Sequence, residues 1–271
     1  MTVRPTMPDA SLRNRIPTAE IGDLFPGVAD NLPLQASSHL FTYGRESMPL
    51  LLPHEMLVLA AIARVRSPKR IVEFGTAQGK STYILAANSA PDTEVITVDL
   101  DPAYHEDYTA KCLRGDDAVG GCYKASPFAE RVRQVFRHPY EAMPAALADV
   151  AGSVDLVLVD GDHSYDGIRA DTETALQIAA PSAVFLWHDF YLIPETLGRG
   201  PERQGVFQYL NDLAQTGGIV LRHLLGTYLV AGCRTWAEDL PGEVLQPGAL
   251  DAPFGGRIVR LGAAASAAGG S

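Results

Sequence analysis

A strand, a glycine turn and a helix follow one another early in the chain, and they constrain the fold more than any other feature. Residues 71–74 are apolar apart from Glu73, and the turn after them contains Gly75 and Gly79. Glycine adopts positive φ at little cost, and without a Cβ atom it lets a ligand approach the backbone. A run of helix-forming residues starts at Ser81. The free N–H groups at a helix start favour a carboxylate or a phosphate.

Three kinds of ligand compete for a loop of this type. A phosphate-binding P-loop needs four residues between its first glycine and a Gly-Lys-Ser triplet, but only three separate Gly75 from Gly79. A dinucleotide-binding loop needs a central glycine, and the chain has Ala77 there. The pattern Glu73-x-Gly75-x-x-x-Gly79 resembles motif I of class I S-adenosylmethionine (SAM)-dependent methyltransferases. The resemblance implies a loop around the methionine part of SAM, and a turn without a ligand stays open as the alternative.

Composition and charge limit the class of protein. The chain has 271 residues, 46% of them hydrophobic, which suffices for one large α/β domain with an N-terminal extension. A net charge of −10 disfavours non-specific binding to nucleic acid and is ordinary for an enzyme of small substrates. No apolar run reaches transmembrane length and no secretory signal is visible. We therefore expect a small-molecule acceptor as partner, and neither nucleic acid nor membrane.

The three cysteines are Cys112, Cys122 and Cys233, and none forms a C-x-x-C pair. An odd number without paired spacing argues against a disulfide framework and against a structural zinc site. A reducing, cytoplasmic setting is the simplest expectation. Homo-oligomerisation is left open.

Apolar runs typical of strands alternate with segments of helical periodicity over most of the chain. The predicted strands are 70–74, 94–99, 132–136, 153–159 and 183–187, and the predicted helices are 54–64, 81–89, 141–149, 167–179 and 203–215. Two last runs, 218–224 and 227–230, flank Gly226 as in a hairpin. This order predicts an α/β fold with a doubly wound, Rossmann-like, mostly parallel sheet and a C-terminal antiparallel hairpin.

The chain divides into three expected segments. Residues 1–50 are rich in proline at first and are interpreted as an N-terminal arm that can serve as a lid. Residues 51–233 form the predicted methyltransferase domain. Residues 234–271 are a C-terminal extension, and the low-complexity tail 262–271 is expected to be disordered.

Two strand tips are candidates for contacts with a nucleoside. The second predicted strand ends at Asp99, and a carboxylate there can accept both hydroxyls of a ribose from SAM or NAD. Asp101 is the rival, and a turn or helix cap is the structural alternative. His138, at the third tip, is the adenine neighbour that the resemblance implies, although the family's Gly-Asp-Ala or Gly-Asp-Ser is absent. The expected cofactor-binding residues are Glu73, Gly75, Thr76, Gly79, Ser81, Asp99, His138 and Asp160.

The fourth and fifth strand tips carry longer polar motifs. Residues 160–165 read Asp-Gly-Asp-His-Ser-Tyr, and residues 188–190 read His-Asp-Phe. These motifs resemble the methyltransferase 24 family of small-molecule O-methyltransferases, over about residues 50–232. They are more distantly similar to catechol, caffeoyl-CoA and macrolide-sugar O-methyltransferases. Since ligands bind beyond the carboxyl ends of strands in a doubly wound sheet, all these polar tips should meet at one site.

The resemblance also implies a metal position. In the metal-dependent relatives an acid at the fourth tip and a polar pair at the fifth hold a divalent ion, and the matching residues are Asp160, His188 and Asp189. Mg²⁺ prefers oxygen ligands, whereas imidazole better suits ions such as Zn, Fe or Ni. The site therefore holds Mg²⁺, another divalent metal, or none. A histidine hydrogen-bonded at a strand end is the structural alternative for His188.

Methyl transfer to a hydroxyl also needs a group that removes the hydroxyl proton. The relatives place a lysine three residues after the fourth-strand acid, and His163 stands there in this chain. An imidazole suits a general base near neutral pH. Asp162 is the rival base, since it matches an acid with that role in sugar-modifying relatives. The expected catalytic residues are His163, Asp162 and Asp160, and capping of the next helix is the structural alternative for His163.

The sequence therefore predicts a SAM-dependent O-methyltransferase that acts on a hydroxyl of a small molecule, such as a sugar or a natural-product scaffold. Assistance by a divalent metal stays an open option. An NAD-dependent oxidoreductase is the first alternative, because such an enzyme would also use an acid at the position of Asp99. The absence of the second loop glycine from this chain argues against it. A non-catalytic SAM-binding protein is the second, because His188 departs from the metal pattern.

Overall fold

The computed structural model describes residues 13–30, 32–37, 40, 51–101, 119–138, 144–191 and 201–246. The side chains of 201–204 lie outside this description. So do half of the predicted arm 1–50 and the whole of the tail 262–271 that is predicted to be disordered.

Strands and helices alternate along the described chain. The strands are β1 (Thr18–Ala19), β2 (Arg70–Phe74), β3 (Glu94–Leu100), β4 (Val132–Arg137), β5 (Val154–Val159), β6 (Ala179–Trp187), β7 (Val220–Leu224) and β8 (Val230–Cys233). The α-helices are α1 (Ile21–Leu24), α2 (Pro53–Arg66), α3 (Lys80–Asn88), α4 (Gly121–Lys124), α5 (Tyr165–Ile178) and α6 (Pro201–Thr216). Short 3₁₀ helices cover Pro26–Ala29, Ala129–Arg131 and Ala145–Val150.

All eight of these strands form one sheet in the order β1-β7-β8-β6-β5-β2-β3-β4. The strands from β6 to β4 are parallel, whereas β8 runs antiparallel to both β6 and β7. The chain moves outward from β2 to β4 and then returns to β5 on the other side of β2. This reversal is a topological switch point, where doubly wound sheets bind ligands. The predicted fold, including the closing hairpin, is confirmed.

Burial on both faces explains the composition of the central strands. Val72 and Val157 belong to a hydrophobic cluster on one face, and Ile71 and Leu156 belong to a cluster on the other. Helices cover both faces, so these strands are continuous apolar runs that become polar only at their tips. The tips therefore hold the polar groups that the core excludes.

Residues before and after the central domain join the far edge of the sheet. Within the predicted arm, Thr18–Ala19 pairs in parallel with β7. Thr18 also exchanges two backbone hydrogen bonds with Glu243, at 2.7 and 2.9 Å. The segment 243–246 from the predicted extension thus lies beside residues from the predicted arm. Among the described residues, no helix is long and apolar enough to cross a membrane.

One predicted helix takes another form. The prediction of a helix over 141–149 corresponds to the 3₁₀ helix Ala145–Val150, and residues 139–143 lie outside the description. Pro144 has ψ 136°, an extended value, so a regular helix cannot run through it into Ala145. A short 3₁₀ segment is a common form for such a connection.

Candidate functional site

The glycine loop between β2 and α3 has the backbone that its sequence predicts, but for a different reason. Gly75 and Gly79 have φ values of 96° and 77°, in the region that favours glycine. A Cβ atom on Gly75 would collide with the carbonyl group of Asp160 at the neighbouring tip. On Gly79 it would lie 2.7 Å from the ring of Tyr123. Close packing of the protein against the loop, and not only approach of a ligand, therefore requires these glycines.

Glu73 is buried at the end of β2, directly beneath this loop. One carboxylate oxygen, Oε2, accepts hydrogen bonds from the hydroxyls of Thr82 and of Thr97, the latter at 2.7 Å. The other oxygen, Oε1, has no partner with hydrogen-bond geometry among the described residues, although the nearby Ser81 side chain partly offsets the rise in the pKa of Glu73. Burial raises the pKa of Glu73 from its ordinary value of 4.5 to about 7. A buried carboxylate with an unused oxygen is a ready partner for a cationic group.

Asp99, at the tip of β3, holds the loop in place. Its Oδ2 accepts the N–H groups of Thr76 and Ala77 at 3.1 and 2.8 Å. Its Oδ1 accepts the N–H of Leu100 at 2.7 Å. The carboxylate thus joins the loop after β2 to the tip of β3, where the sequence places the ribose. Of the other expected cofactor contacts, Ser81 is buried in the first turn of α3 and His138 is exposed just after β4.

A second group of polar side chains lies at the tips of β5 and β6. Nε2 of His163 is 2.9 Å from Oδ2 of Asp189 and 3.9 Å from Oδ1 of Asp160. One ligand atom from each of these three residues lies within 4.8 Å of the others, so together they could hold a metal ion. About a third of the His163 side chain is exposed, at 36%. The predicted residues Asp160, His163 and Asp189 thus meet as one cluster.

His188 is adjacent to this cluster, but its ring is already occupied. Nδ1 lies 3.1 Å from Oδ1 of Asp160, and Nε2 lies 3.1 Å from Oε2 of Glu55. A metal ligand needs a free ring nitrogen, and both nitrogens of His188 have a carboxylate partner. The side chain is also 2% exposed. Nδ1 also lies 3.4 Å from Oδ1 of Asp189, so His188 contacts both acids, as His163 does. Because both ring nitrogens of His188 are occupied, the arrangement does not favour the expected role of His188 as a metal ligand.

Asp162, the rival base, has a structural role that was not predicted from the sequence. Its side chain is exposed, and Oδ1 accepts the N–H of Ser164 at 2.8 Å. Ser164 in turn caps α5 by accepting the N–H of Gly167 at 3.1 Å. A Cβ atom on Gly167 would collide with Asp162. Asp162 thus shapes the turn into α5, whereas His163 is the residue directed to the cluster.

The electrostatics of the cluster and of the adjacent His188 follow from close contacts between carboxylates and imidazoles. Burial alone would lower the pKa of His163, but the charge of Asp189 and the hydrogen bond to it outweigh burial and raise that pKa. Burial also opposes protonation of His188, yet the charges of Asp160 and Asp189 raise its pKa well above 6.5. Burial would raise the pKa of Asp189, and the neighbouring imidazoles lower it instead. The carboxylates and imidazoles therefore stabilise each other's charged forms.

Asp189 also has an unusual backbone. Its φ of 61° is in the left-handed region, which costs a non-glycine residue about 1 kcal/mol or more. Its carboxylate accepts a hydrogen bond from the hydroxyl of Tyr191. The ring of Tyr191 lies 4.6 Å from the ring of Tyr228, measured between centroids. Strained residues of this kind often mark functional sites.

Sequence reasoning missed Glu55 and the pair formed by Arg137 and Asp171. Glu55 is in the first turn of α2, where a glutamate is typical of a helix start and gives no sign of a distant contact. Arg137, at the tip of β4, forms a buried ion pair with Asp171 of α5. Burial raises the pKa of Asp171 to about 6. No local pattern identifies either contact, because each joins residues far apart in the chain.

Comparison with known proteins gives a family match over part of the chain. Residues 72–190 match the methyltransferase 24 family, described as a methyltransferase domain. An uncharacterised protein of Sinorhizobium fredii is 31% identical over 156 residues, which make up 54% of this chain and 15% of that protein. The chain thus corresponds to a small part of that relative's length.

Several solved structures share the fold. An O-methyltransferase from Streptomyces achromogenes, involved in tomaymycin synthesis and bound to SAM, is 19% identical with a TM-score of 0.52, covering 79% of this chain and 96% of that one. A Bacillus cereus O-methyltransferase bound to S-adenosylhomocysteine is 18% identical with a TM-score of 0.50, covering 78% and 96%. A Podospora anserina methyltransferase bound to S-adenosylhomocysteine is 14% identical with a TM-score of 0.55, covering 78% and 93%. At these identities the likeness shows the fold.

The family match and the sheet topology agree. Residues 72–190 match the methyltransferase 24 family, and the chain has the Rossmann-like fold that the solved methyltransferases share. This region of the chain is therefore similar to a methyltransferase domain. The strand tips that form the polar cluster fall inside this matched region.

Proposed function

We propose that the protein transfers a methyl group from SAM to a hydroxyl of a small molecule. One observation carries the proposal: the glycine loop and the pair of His163 and Asp189 lie on adjacent strand tips at the switch point. Asp160 joins the two, because its N–H donates to the carbonyl of Phe74 at 2.8 Å, next to the loop. A methyl donor in the loop would thus lie near an imidazole that can accept a proton.

The residues of the loop fit SAM. The amino-acid part of SAM carries an ammonium group, and the buried Oε1 of Glu73 has no other partner among the described residues. A charge-assisted hydrogen bond would satisfy that oxygen and favour the ionised form of Glu73. Asp99 is at the tip where a ribose is expected, and its carboxylate already fixes the adjacent loop. When bound, SAM supplies an electrophilic methyl group.

His163 is the proposed general base. Its Nε2 faces Oδ2 of Asp189, so a neutral ring donates its N–H to that carboxylate and keeps a lone pair on Nδ1. Nδ1 can then take the proton of the acceptor hydroxyl while the oxygen attacks the methyl carbon. Asp189 stabilises the imidazolium that forms, as a carboxylate does in other acid–base pairs. Partial exposure of His163 leaves the ring accessible to an acceptor.

A metal-assisted reaction is a second candidate, favoured by the close approach of Asp160, His163 and Asp189. Two carboxylates and one imidazole fit Mn, Fe or Zn better than Mg²⁺, which prefers oxygen alone. A bound metal would lower the pKa of the acceptor hydroxyl and orient it. His163 would then act as a ligand, and another group would have to accept the proton.

The test begins with calorimetric titration of metal-stripped protein with S-adenosylhomocysteine and, separately, with NAD(H). Binding of the first and not the second is expected, and the reverse would favour an oxidoreductase. Methyl transfer from labelled SAM is then measured over a panel of sugars, phenols and other hydroxylated scaffolds, with and without Mn²⁺, Zn²⁺ and Mg²⁺. Turnover without added metal supports His163 as base, and turnover only with metal supports the second candidate. Tight SAM binding with no turnover on any acceptor would favour a non-catalytic SAM-binding protein.

A further inference from the structure

Glu55 lies at the start of α2, more than one hundred residues before the strand-tip motifs, and yet it reaches the site. Its side chain is fully buried. Oε1 accepts the N–H of Tyr228 at 2.7 Å, and Oε2 accepts the N–H of Leu52 at 3.1 Å. A carboxylate removed from water in this way needs strong donors. The strongest available is the imidazole of His188, whose Nε2 lies 3.1 Å from Oε2.

The other nitrogen of that imidazole contacts the cluster. Nδ1 of His188 lies 3.1 Å from Oδ1 of Asp160. A ring held by carboxylates at both nitrogens cannot rotate, so it also fixes the rotamer of the acid that it contacts. The contacts of Asp160 with His188 and with His163 both involve Oδ1 and not Oδ2. Glu55, His188 and Asp160 therefore form a chain of contacts that leaves one oxygen of Asp160 for a ligand.

We propose that Glu55 is a positioning residue of the active site, which holds His188 so that Asp160 presents a fixed carboxylate to the substrate side. The inference rests on the proposed function, which assigns Asp160 and His163 to the site. His188 contacts Asp160 and, at 3.4 Å, Asp189, and these acids lie 3.9 and 2.9 Å from His163. A change at Glu55 is therefore expected to reach the proposed base through His188 and one of the two acids. The occupied ring of His188 then has a role as support and not as a metal ligand.

A purely structural role is the competing explanation. Through Leu52 and Tyr228, Glu55 also joins the start of α2 to the turn between β7 and β8. Removing the carboxylate would loosen both, whether or not the cluster responds. A drop in melting temperature alone therefore cannot distinguish the two roles, and the test must observe the cluster directly.

The experiment records the ring ¹⁵N resonances of histidine in the full chain without ligand. Glu55→Gln keeps the shape of the side chain but removes its charge. We expect the ring resonances of His188 and of His163 both to shift in this variant. Glu94→Gln, which changes a partly exposed glutamate at the opposite end of the sheet, should leave both in place.

A double variant shows whether the effect passes through His188. If Glu55 acts on Asp160 through that ring, Glu55→Gln should change the His163 resonances no further once His188→Asn is present. His188→Asn alone leaves both backbone contacts of Glu55 available. It also serves as the replacement probe if Glu55→Gln does not fold, because it should itself shift the resonances of His163.

The outcomes separate this inference from the proposed function. The positioning role would be overturned if the His163 resonances of Glu55→Gln match those of the wild type. If Glu55→Gln does not fold, the same result in His188→Asn would overturn it. Additive effects of the two substitutions on His163 would do the same. Titration with S-adenosylhomocysteine is run on the same proteins, and its dissociation constant should change by less than about threefold in Glu55→Gln. Failure of every protein, wild type included, to bind S-adenosylhomocysteine would reject the proposed function while the resonance comparison remains readable.

Discussion

The folded protein favours the neutral form of Glu73, whereas a cationic ligand would bind its charged form. Its buried carboxylate has one oxygen satisfied by two threonine hydroxyls and one without a partner in the described chain. The same burial that raises its pKa makes the ionised carboxylate a strong partner for an ammonium group. Ionisation of Glu73 therefore lowers the stability of the protein without ligand.

The first prediction concerns the pH dependence of stability at Glu73. An unfolded glutamate ionises near pH 4.5 and the folded one near 7, so the folded state holds the extra proton between these values. Stability should therefore fall as pH rises from 4.5 to 7 and then level off, with Glu73 contributing on the order of 3 kcal/mol. Glu73→Gln cannot ionise and should lose this part of the pH dependence. Urea unfolding of both proteins at pH 5.5 and pH 8 measures the difference, and equal pH dependence would contradict the prediction.

The same substitution should affect ligand binding in the opposite sense. Glu73→Gln removes a charged acceptor, so we expect S-adenosylhomocysteine to bind about 10 to 100 times more weakly at pH 8. Calorimetric titration measures this directly. Unchanged affinity would show that the unused oxygen of Glu73 does not contact the amino-acid part of the ligand.

Asp189 sets the protonation behaviour of His163, which gives a second prediction at this scale. The pKa of His163 is raised above 6.5 by the charge of Asp189, so a general base at this position loses activity as pH falls through the raised value. Asp189→Asn removes the charge and should move the inflection of the rate profile to lower pH. The maximal rate should also fall by about 10 to 1000 times, because the ring loses its orienting partner.

A matched control is available on α5. Asp166 is exposed and forms a surface ion pair with Arg169 at 3.0 Å, outside the polar cluster. Asp166→Asn should leave the inflection where it is in the wild type. A profile that does not move in Asp189→Asn would remove His163 from the role of base.

At the scale of elements, the loop after β2 and the tip of β5 are fitted to each other. The backbone at Gly75 is in a left-handed conformation and lies against the carbonyl of Asp160. Two costs would therefore follow from a methyl group at this position: backbone strain and a steric clash. The clash falls on the residue that joins the loop to the polar cluster.

The third prediction separates these two costs. Gly75→Ala should destabilise the protein by more than about 3 kcal/mol, because the clash is with backbone that cannot easily move. Gly152→Ala has a similar positive φ of 69° but nothing within 4 Å of the new methyl group, so it should cost only about 1 kcal/mol. Chemical unfolding of both variants measures the difference. Equal losses would mean that the loop can shift away from β5.

The elements themselves were largely predictable from the sequence. The starts and ends of β2 and β5 agree with prediction to within one residue, since apolar runs bounded by polar residues are a strong signal for buried strands. β6 begins at Ala179, four residues before the predicted start at 183, because residues 179–182 include a proline and a serine and lack the pattern of a buried strand. The partners of the His188 ring were not predictable, since one of them is a glutamate 133 residues away from His188 in sequence.

At the scale of the whole molecule, Arg222 joins the sheet to the segment that follows it. Its buried guanidinium donates to the carbonyls of Pro241, Glu238 and Leu240, at 3.2, 2.8 and 2.8 Å. Burial lowers its pKa, but these acceptors satisfy the charged group. Residues 238–241 are therefore fixed to β7, and the next residues pair with Thr18.

The fourth prediction follows from this attachment. Arg222→Met keeps the apolar stem but removes the donors, and it should destabilise the protein by roughly 3 kcal/mol and release residues 238–246. Because Glu243 pairs with Thr18, residues near position 18 should become sensitive to protease in the same variant. Mass spectrometry of early proteolytic fragments tests whether both segments are cleaved together. Arg66→Met removes only one exposed contact, to the carbonyl of Ser182, and serves as the control.

Because residues 14–18 pair with residues 243–246, the two segments lie side by side, and the chain could be reconnected there without changing which strands are neighbours in the sheet. This edge is five strand spacings from β2, roughly 24 Å, so a covalent join there would leave the glycine loop untouched. A short linker from residue 246 to residue 13 could close the described chain into a ring. New ends could then be opened at Gly152, whose surroundings are open, to give a circular permutant with the same strand neighbours.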